Sequence, residues 1–161
     1  MIIAIGAKEP PLEGLLRYAE TEYSFDFDVG SPAELSRRTG ESGVTSILIG
    51  TLQIEVGVAT RRALYVWGLH PRNRWTSARL TRPVPDQRAV VIDPERTLTP
   101  GVSVGAAPVG AWSTEFDDES GWVRVAADAA VDDMVAEIAD GILLGERDGE
   151  LHSVWLRPLF E

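Results

Sequence analysis

Carboxylates and arginines are the residues with chemistry to offer in this chain, and they are unevenly placed. Residues 1–60 carry 4 basic and 9 acidic side chains, residues 61–96 carry 8 and 3, and residues 97–161 carry 3 and 13. The three segments are therefore charged −5, +5 and −10, for a net −10. A field of that sign attracts basic partners and repels nucleic acid. In the last segment Asp117, Asp118 and Glu119 form one acidic run, and Asp132, Asp133, Glu137 and Asp140 a second. Both are expected to face a partner, steering encounter and pairing with its lysines or arginines. Trp75, just after Arg72-Asn73-Arg74, is a further candidate, which as an exposed aromatic would mark a contact site.

Catalytic chemistry finds few candidates. With no cysteine, disulfides, thiolate metal sites and cysteine nucleophiles are excluded. The two histidines, His70 and His152, fall in a loop before Pro71 and at the start of a strand, and read as structural or surface residues. Asp26 and Asp28, two apart on a strand, share a face and could act as acid and base or as ligands; outward-facing charge is the commoner meaning. Asp117-Asp118-Glu119 lacks the glycine and distal glutamate of a helix–loop–helix calcium site. No Gly-Lys-Ser/Thr phosphate loop and no Gly-x-Ser-x-Gly elbow occurs. The reading is no catalytic residue, no cofactor and no metal. Arginines and tryptophans between Arg61 and Arg88 suggest nucleic-acid contact, but a fold carrying −15 outside residues 61–96 opposes it. Those arginines are expected to pair with the acidic blocks of the same fold.

The elements that position these residues are read from periodicity. Ile2–Ile5 suits a buried first strand. Leu12, Leu15, Leu16 and Ala19, after Pro10-Pro11, recur at i, i+3, i+4 and i+7 and predict a first helix. Ser24–Val29 alternates with period two and predicts a strand, while Ser31-Pro32-Ala33-Glu34 is the start of a second helix that Gly40 stops. Val44–Ile49, Leu52–Ala59 and Ala63–Leu69 predict a three-stranded meander with Gln53 and Glu55 on its wet side. A possible strand follows near Ser77–Thr81, extended structure resumes at Ala89–Ile92, residues 93–121 are expected to be irregular around weak strand signals at Val102–Val104 and Trp112–Phe116, and Trp122–Ala126 is a further strand. Asp128 then caps a predicted C-terminal helix with Val131, Met134, Val135 and Ile138 as its apolar stripe and Asp132, Asp133, Glu137 and Asp140 on its exposed face. Ile142–Leu144 and Leu151–Leu156 flank Asp148-Gly149 as a closing hairpin.

The expected fold is thus α+β: one domain, 1–161, with a mostly antiparallel sheet, two N-terminal helices, and one C-terminal helix followed by a hairpin. At 161 residues the chain is long enough for a real core. Met1–Gly6 has neither the basic start nor the apolar run of a signal peptide, and no run approaches a membrane span.

One family has a similar layout. The helix start Ser31-Pro32-Ala33-Glu34-Leu35, the strand Leu64-Tyr65-Val66-Trp67-Gly68, the predicted helix Ala129–Ile138 followed by Gly145, and the closing Ser153-Val154-Trp155-Leu156 resemble the α+β immunity proteins of bacterial polymorphic toxin systems. The resemblance spans about residues 25–157 and is one of architecture. It implies a small, acidic, cytoplasmic, non-enzymatic protein that binds and neutralises a basic toxin domain, either blocking an active site or mimicking the charge of a nucleic-acid substrate. Two alternatives stay open: a secretion or assembly chaperone for a protein client, and a small hydrolase or ligand-binding domain using Asp26 and Asp28.

Overall fold

The computed structural model describes Met1–Glu161. The chain opens with β1 (Ile2–Lys8) in one sheet and crosses to a second for β2 (Gly14–Ala19) and β3 (Ser24–Val29). It turns through α1 (Pro32–Thr39) into β4 (Val44–Ile49), β5 (Leu52–Gly57) and β6 (Ala63–Leu69) of that second sheet. A single 3-10 turn, Arg72–Arg74, leads back to the first sheet for β7 (Thr76–Ser77) and β8 (Asp86–Asp93). The second sheet gains β9 (Val104–Ala107); the first is completed by β10 (Ser113–Phe116), β11 (Val123–Ala126), β12 (Met134–Ala139), β13 (Ile142–Arg147) and β14 (Glu150–Leu156). The last strand, β15 (Leu159–Phe160), returns to the second sheet, parallel to β2.

The first sheet runs β1-β8-β12-β13-β14-β11-β10-β7, and Ile2 opposite Glu150 also ties β1 to β14. The second runs β15-β2-β3-β6-β5-β4-β9. Most pairs are antiparallel, including the expected meander β4-β5-β6 and the closing hairpin β13-β14. Four are parallel: β8 with β12, β7 with β10, β2 with β15 and β4 with β9. A core of 27 buried residues draws on both sheets, among them Leu16, Tyr18, Ile54 and Val66 from one and Val90, Ile138, Leu144 and Val154 from the other. No helix is long and apolar enough to cross a membrane.

The expected α+β fold is corrected to a mostly-β one with a single helix, the one begun by Ser31. There the local signals agree: the Ser31 hydroxyl accepts from Glu34 N at 3.2 Å, Pro32 fills the first turn, and Gly40 ends the helix at φ +78°. A cap of this kind is worth about 1 kcal/mol. Arg38, buried, fastens the helix by donating to the Pro10 carbonyl at 2.7 Å and to Glu34 at 2.7 Å.

The helix expected over residues 12–19 is strand β2. Its i, i+3, i+4 spacing is real, but Leu16 and Tyr18 alternate inward while Leu15 is 41% exposed. The six-residue ladder with β3 fixes that period, with Leu16 opposite Phe27 and Tyr18 opposite Phe25. The expected C-terminal helix is also absent; residues 127–133 are irregular and β12 follows. Two residues of its supposed apolar stripe, Val131 and Met134, are 79% and 42% exposed. The other two, Val135 and Ile138, are buried together with Ala136 and Ala139, because β12 is covered on both faces and so loses the alternation that marks a half-buried strand. Gly141 is the left-handed residue (φ +75°) of the two-residue β12-β13 turn.

Candidate functional site

The acidic residues expected to form one face do not share one. On a helix, Asp133 and Asp140 would lie about 10 Å apart; across the extended β12 they are separated by roughly 23 Å of strand. Asp132, expected on the surface, is buried, with a side chain 5% exposed. Its carboxylate accepts from the Ser153 hydroxyl at 2.8 Å and the Trp155 indole at 3.3 Å, and lies 2.7 Å from His152 Nδ1. His152 Nε2 lies 2.8 Å from Asp128. Burial works against a charge on His152, but the hydrogen bonds to Asp132 and Asp128 outweigh it, and its pKa is raised. Gly145 is required below this group, since a Cβ there would overlap Ser153 Oγ and Asp132. Asp, His and Ser meet here, yet Ser153 donates to Asp132 rather than to His152. The nucleophile–base contact of acyl transfer is therefore not made. The group is a tie that holds residues 128–132 on β14.

Asp117 is also buried and inward-facing. It accepts from the backbone N–H of Leu80 at 3.0 Å, of Glu119 at 3.0 Å and of Ser120 at 3.3 Å, which hold its carboxyl at about 2. Asp118 and Glu119 are exposed and gather with Asp117 around Arg79, at 3.7, 2.6 and 3.2 Å. Asp133 accepts from Asp148 N at 2.8 Å and Asp140 from Gly14 N at 3.0 Å, so each ties one chain segment to another. Glu137 is half-buried, its pKa raised by burial against the opposing pull of Arg82.

Trp75, expected as an exposed contact, is the middle of an aromatic cluster joining the sheets. Its ring lies 4.9 Å from Tyr18, 5.7 Å from Phe116, 5.9 Å from His70, 6.0 Å from Phe25 and 6.4 Å from Phe160. Arg72 covers the cluster, its guanidinium 4.8 Å from the Phe116 ring centre. Three of the eight arginines of 61–96 pair with the acidic blocks as expected, Arg62 with Glu9, Arg72 with Glu20 and Arg79 with the 117–119 loop; Arg61 and Arg88 pair within their own segment, with Asp93 at 2.8 Å and Asp86 at 3.3 Å, and Arg74, Arg82 and Arg96 make no ion pair.

One concavity brings carboxylates together with an aromatic. It is a cavity of ≈ 660 Å³ on the second sheet, lined chiefly by Arg17, Glu22, Asp26, Asp28, Gln53 and Trp67, with Glu161 at its margin. Ser24–Val29 alternates as its sequence predicts, which turns Asp26 and Asp28 away from the core while Phe25 and Phe27 enter it. Gln53 stands opposite Trp67 across the β5-β6 ladder. Arg17 is already neutralised, 3.0 Å from Asp28 and 3.0 Å from Glu161. Glu22 and Asp26 make no ion pair. The Trp67 indole N–H donates to Glu55 at 2.7 Å. Glu55 is 8% exposed, and burial raises its pKa against that hydrogen bond.

Of this groove, the shared outward face of Asp26 and Asp28 follows from the period-two pattern, whereas the wet side expected for Gln53 and Glu55 is corrected: Gln53 is half-buried and Glu55 is buried beneath the Trp67 indole, which the sequence pattern places only as part of a strand. Its signal was its place in register: Trp67 falls on the same side as Gln53 and Glu55. No group of three or more His, Asp or Glu side chains is arranged to hold a metal ion. No protein-family model matches the sequence, and comparison with curated proteins and with solved structures gave no match.

Proposed function

We propose that the protein is a non-enzymatic acidic binding protein that docks a basic protein partner, in the manner of a cytoplasmic immunity protein neutralising a toxin domain. The observation that carries the reading is the groove on the second sheet, where four carboxylates face one arginine that two of them already neutralise. Elsewhere the acidic runs are spent internally: Asp117 and Asp132 hold loops, and Asp118 and Glu119 share Arg79. Glu22 and Asp26 keep their charge for an incoming cation. Such rim carboxylates raise association rate and salt dependence more than they raise affinity.

The test uses the full chain as bait against lysate and secreted fractions of its source cells, at low and high salt, beside a Glu22→Lys, Asp26→Lys variant. The expected result is one folded basic protein, held at low salt, released by high salt and lost from the variant. Equal capture by the variant moves the contact off the groove, and no basic partner at either salt overturns the reading.

A further inference from the structure

The groove is specific enough in its chemistry to name the group it takes. We propose that it receives the guanidinium of an arginine side chain displayed by the partner, seated against Trp67 and paired with Asp26 and Glu22; this rests on the basic-partner reading.

Three observations lead there. The first is the balance of donors and acceptors around the cavity. Arg17 pairs with Asp28 and Glu161, although its Nε makes no aligned hydrogen bond; beside it the groups with free capacity are the Glu22 and Asp26 carboxylates, the Gln53 amide and the Ser24 hydroxyl. That set is rich in acceptors and negative, and it suits a cation with several N–H donors rather than an anion or a neutral polyol. The second is the aromatic wall. Trp67 is held in one orientation by its N–H bond to Glu55, 2.7 Å long, and an indole is the strongest of the side-chain rings for cations.

The third is Glu55 itself. It lies more than nine-tenths buried behind that indole, and the Trp67 N–H is the only protein group donating to it. A carboxyl so placed is costly unless something offsets its charge. No arginine or lysine of this chain pairs with it. A cation against Trp67 supplies that offset from outside, while the carboxylate's pull on the indole N–H enriches the ring that the cation meets.

Arginine fits better than lysine because its guanidinium is planar, weakly hydrated and forked, so it can stack on an indole and bind a carboxylate through two N–H groups at once. A protein-borne group fits better than a free small cation because the walls are open: Glu22, Asp26, Asp28, Leu69 and Glu161 are all exposed. Sites for free small ligands enclose most of the ligand surface. Here the rest of the binding energy has to come from the surface that carries the arginine.

The experiment titrates the full chain with Nα-acetyl-arginine methylamide, with the lysine analogue and with spermidine, following the Trp67 indole and Gln53 amide signals in 15N-correlated spectra. The Trp67 indole signal is assigned from a Trp67→Phe variant. The arginine analogue is expected to shift both signals with millimolar affinity, and the lysine analogue and spermidine to bind roughly fivefold more weakly or less. Asp26→Asn and Glu55→Gln, the first exposed and the second keeping an acceptor for Trp67, are each expected to weaken the arginine analogue about fivefold. Absent shifts at Trp67 and Gln53, equal affinity for all three cations, or unchanged affinity in both variants overturns the assignment. The two readings fail separately. A basic partner captured through Glu22 and Asp26 without binding of the arginine analogue leaves the partner reading standing and removes the guanidinium; binding of the analogue with no basic partner does the reverse.

Discussion

His70 and His152 both join segments distant in the chain, and their surroundings are built from opposite materials. His70 follows β6 and lies among rings, 6.1 Å from Phe25 and 5.9 Å from Trp75, with Thr114 Oγ1 2.8 Å from its Nε2. Burial without a carboxylate holds it down to about 4, so it is neutral at pH 7. His152 is more deeply placed than the half-buried His70, 5% exposed, yet its two nitrogens meet Asp132 and Asp128 and its pKa is raised. Burial alone therefore does not decide the charge of a histidine here; whether carboxylates are buried with it does. The consequence is mechanical. The aromatic junction around Trp75 is held by area and ring contacts spread over many residues, whereas the His152 junction is held by directional bonds that converge on one carboxylate.

The sharpest way to break this contrast is to remove that carboxylate. Asp132→Ala removes one of the two carboxylates of His152 and the acceptor of the Ser153 hydroxyl and the Trp155 indole together, leaving buried donors unpaired and Asp128 as the imidazole's remaining carboxylate. A loss of about 3–5 kcal/mol is expected, read as a shift of the urea midpoint at constant slope near pH 6. A loss below about 1 kcal/mol would mean that the bonds converging on Asp132 contribute no more than a surface pair.

The second contrast is in pH dependence, where the two histidines act with opposite sign. The folded state lowers the His70 pKa from 6.5 to about 4. It therefore resists protonation, and stability falls as pH drops through that window, by roughly 3 kcal/mol at the acid end. The folded state raises the His152 pKa above 6.5. Its contribution is complete below 6.5 and is lost as pH climbs through the raised value. Stability should pass through a maximum near the ordinary histidine pKa. Chemical denaturation across pH 4 to 9 checks this: His70→Phe should flatten the acid branch alone, and His152→Gln the alkaline branch alone. Glu34 and Asp117, each held at about 2, lose their contributions as pH falls below their ordinary values of 4.5 and 3.8, so they overlap only the acid end of the His70 window. A single variant that flattened both branches would show the junctions to be one cooperative unit.

How much of this could be read beforehand follows the same division. Elements fixed by local rules were legible: the Ser31-Pro32 helix start, the period-two strand Ser24–Val29, the meander and the Asp148-Gly149 turn all stand as their residues suggest. Elements fixed by pairing at a distance were not. β2 satisfies helical spacing until β3 sets its register, and β12 reads as a helix because the two sides of a strand buried on both faces look alike in sequence. Asp140-Gly141 carries the same turn dipeptide as Asp148-Gly149 and was the overlooked sign that residues 134–147 form a hairpin. The site divides likewise. The outward turn of Asp26 and Asp28 follows from alternation, whereas the burial of Asp117 and Asp132 depends on backbone and side chains brought in by other strands. Charge counts could not separate a carboxylate that waits for a partner from one that already has several.

The smallest expected effect belongs to the acidic loop that most resembles a docking cluster. Arg79 lies within 4 Å of three carboxylates, Asp117, Asp118 and Glu119, and yet is 70% exposed. Water screens it, and its long side chain loses rotamer freedom in holding the pairs, so Arg79→Ala should cost only about 0–1 kcal/mol, falling further in high salt. Asp117 does not depend on it, because the backbone N–H groups of Leu80, Glu119 and Ser120 remain. Parallel unfolding curves of Arg79→Ala and Asp132→Ala at low and high salt therefore set the two kinds of acidic junction side by side. A salt-insensitive loss from Arg79→Ala as large as that from Asp132→Ala would show that exposure does not divide them, and that the arginine is as much a part of the fold as the buried carboxylate.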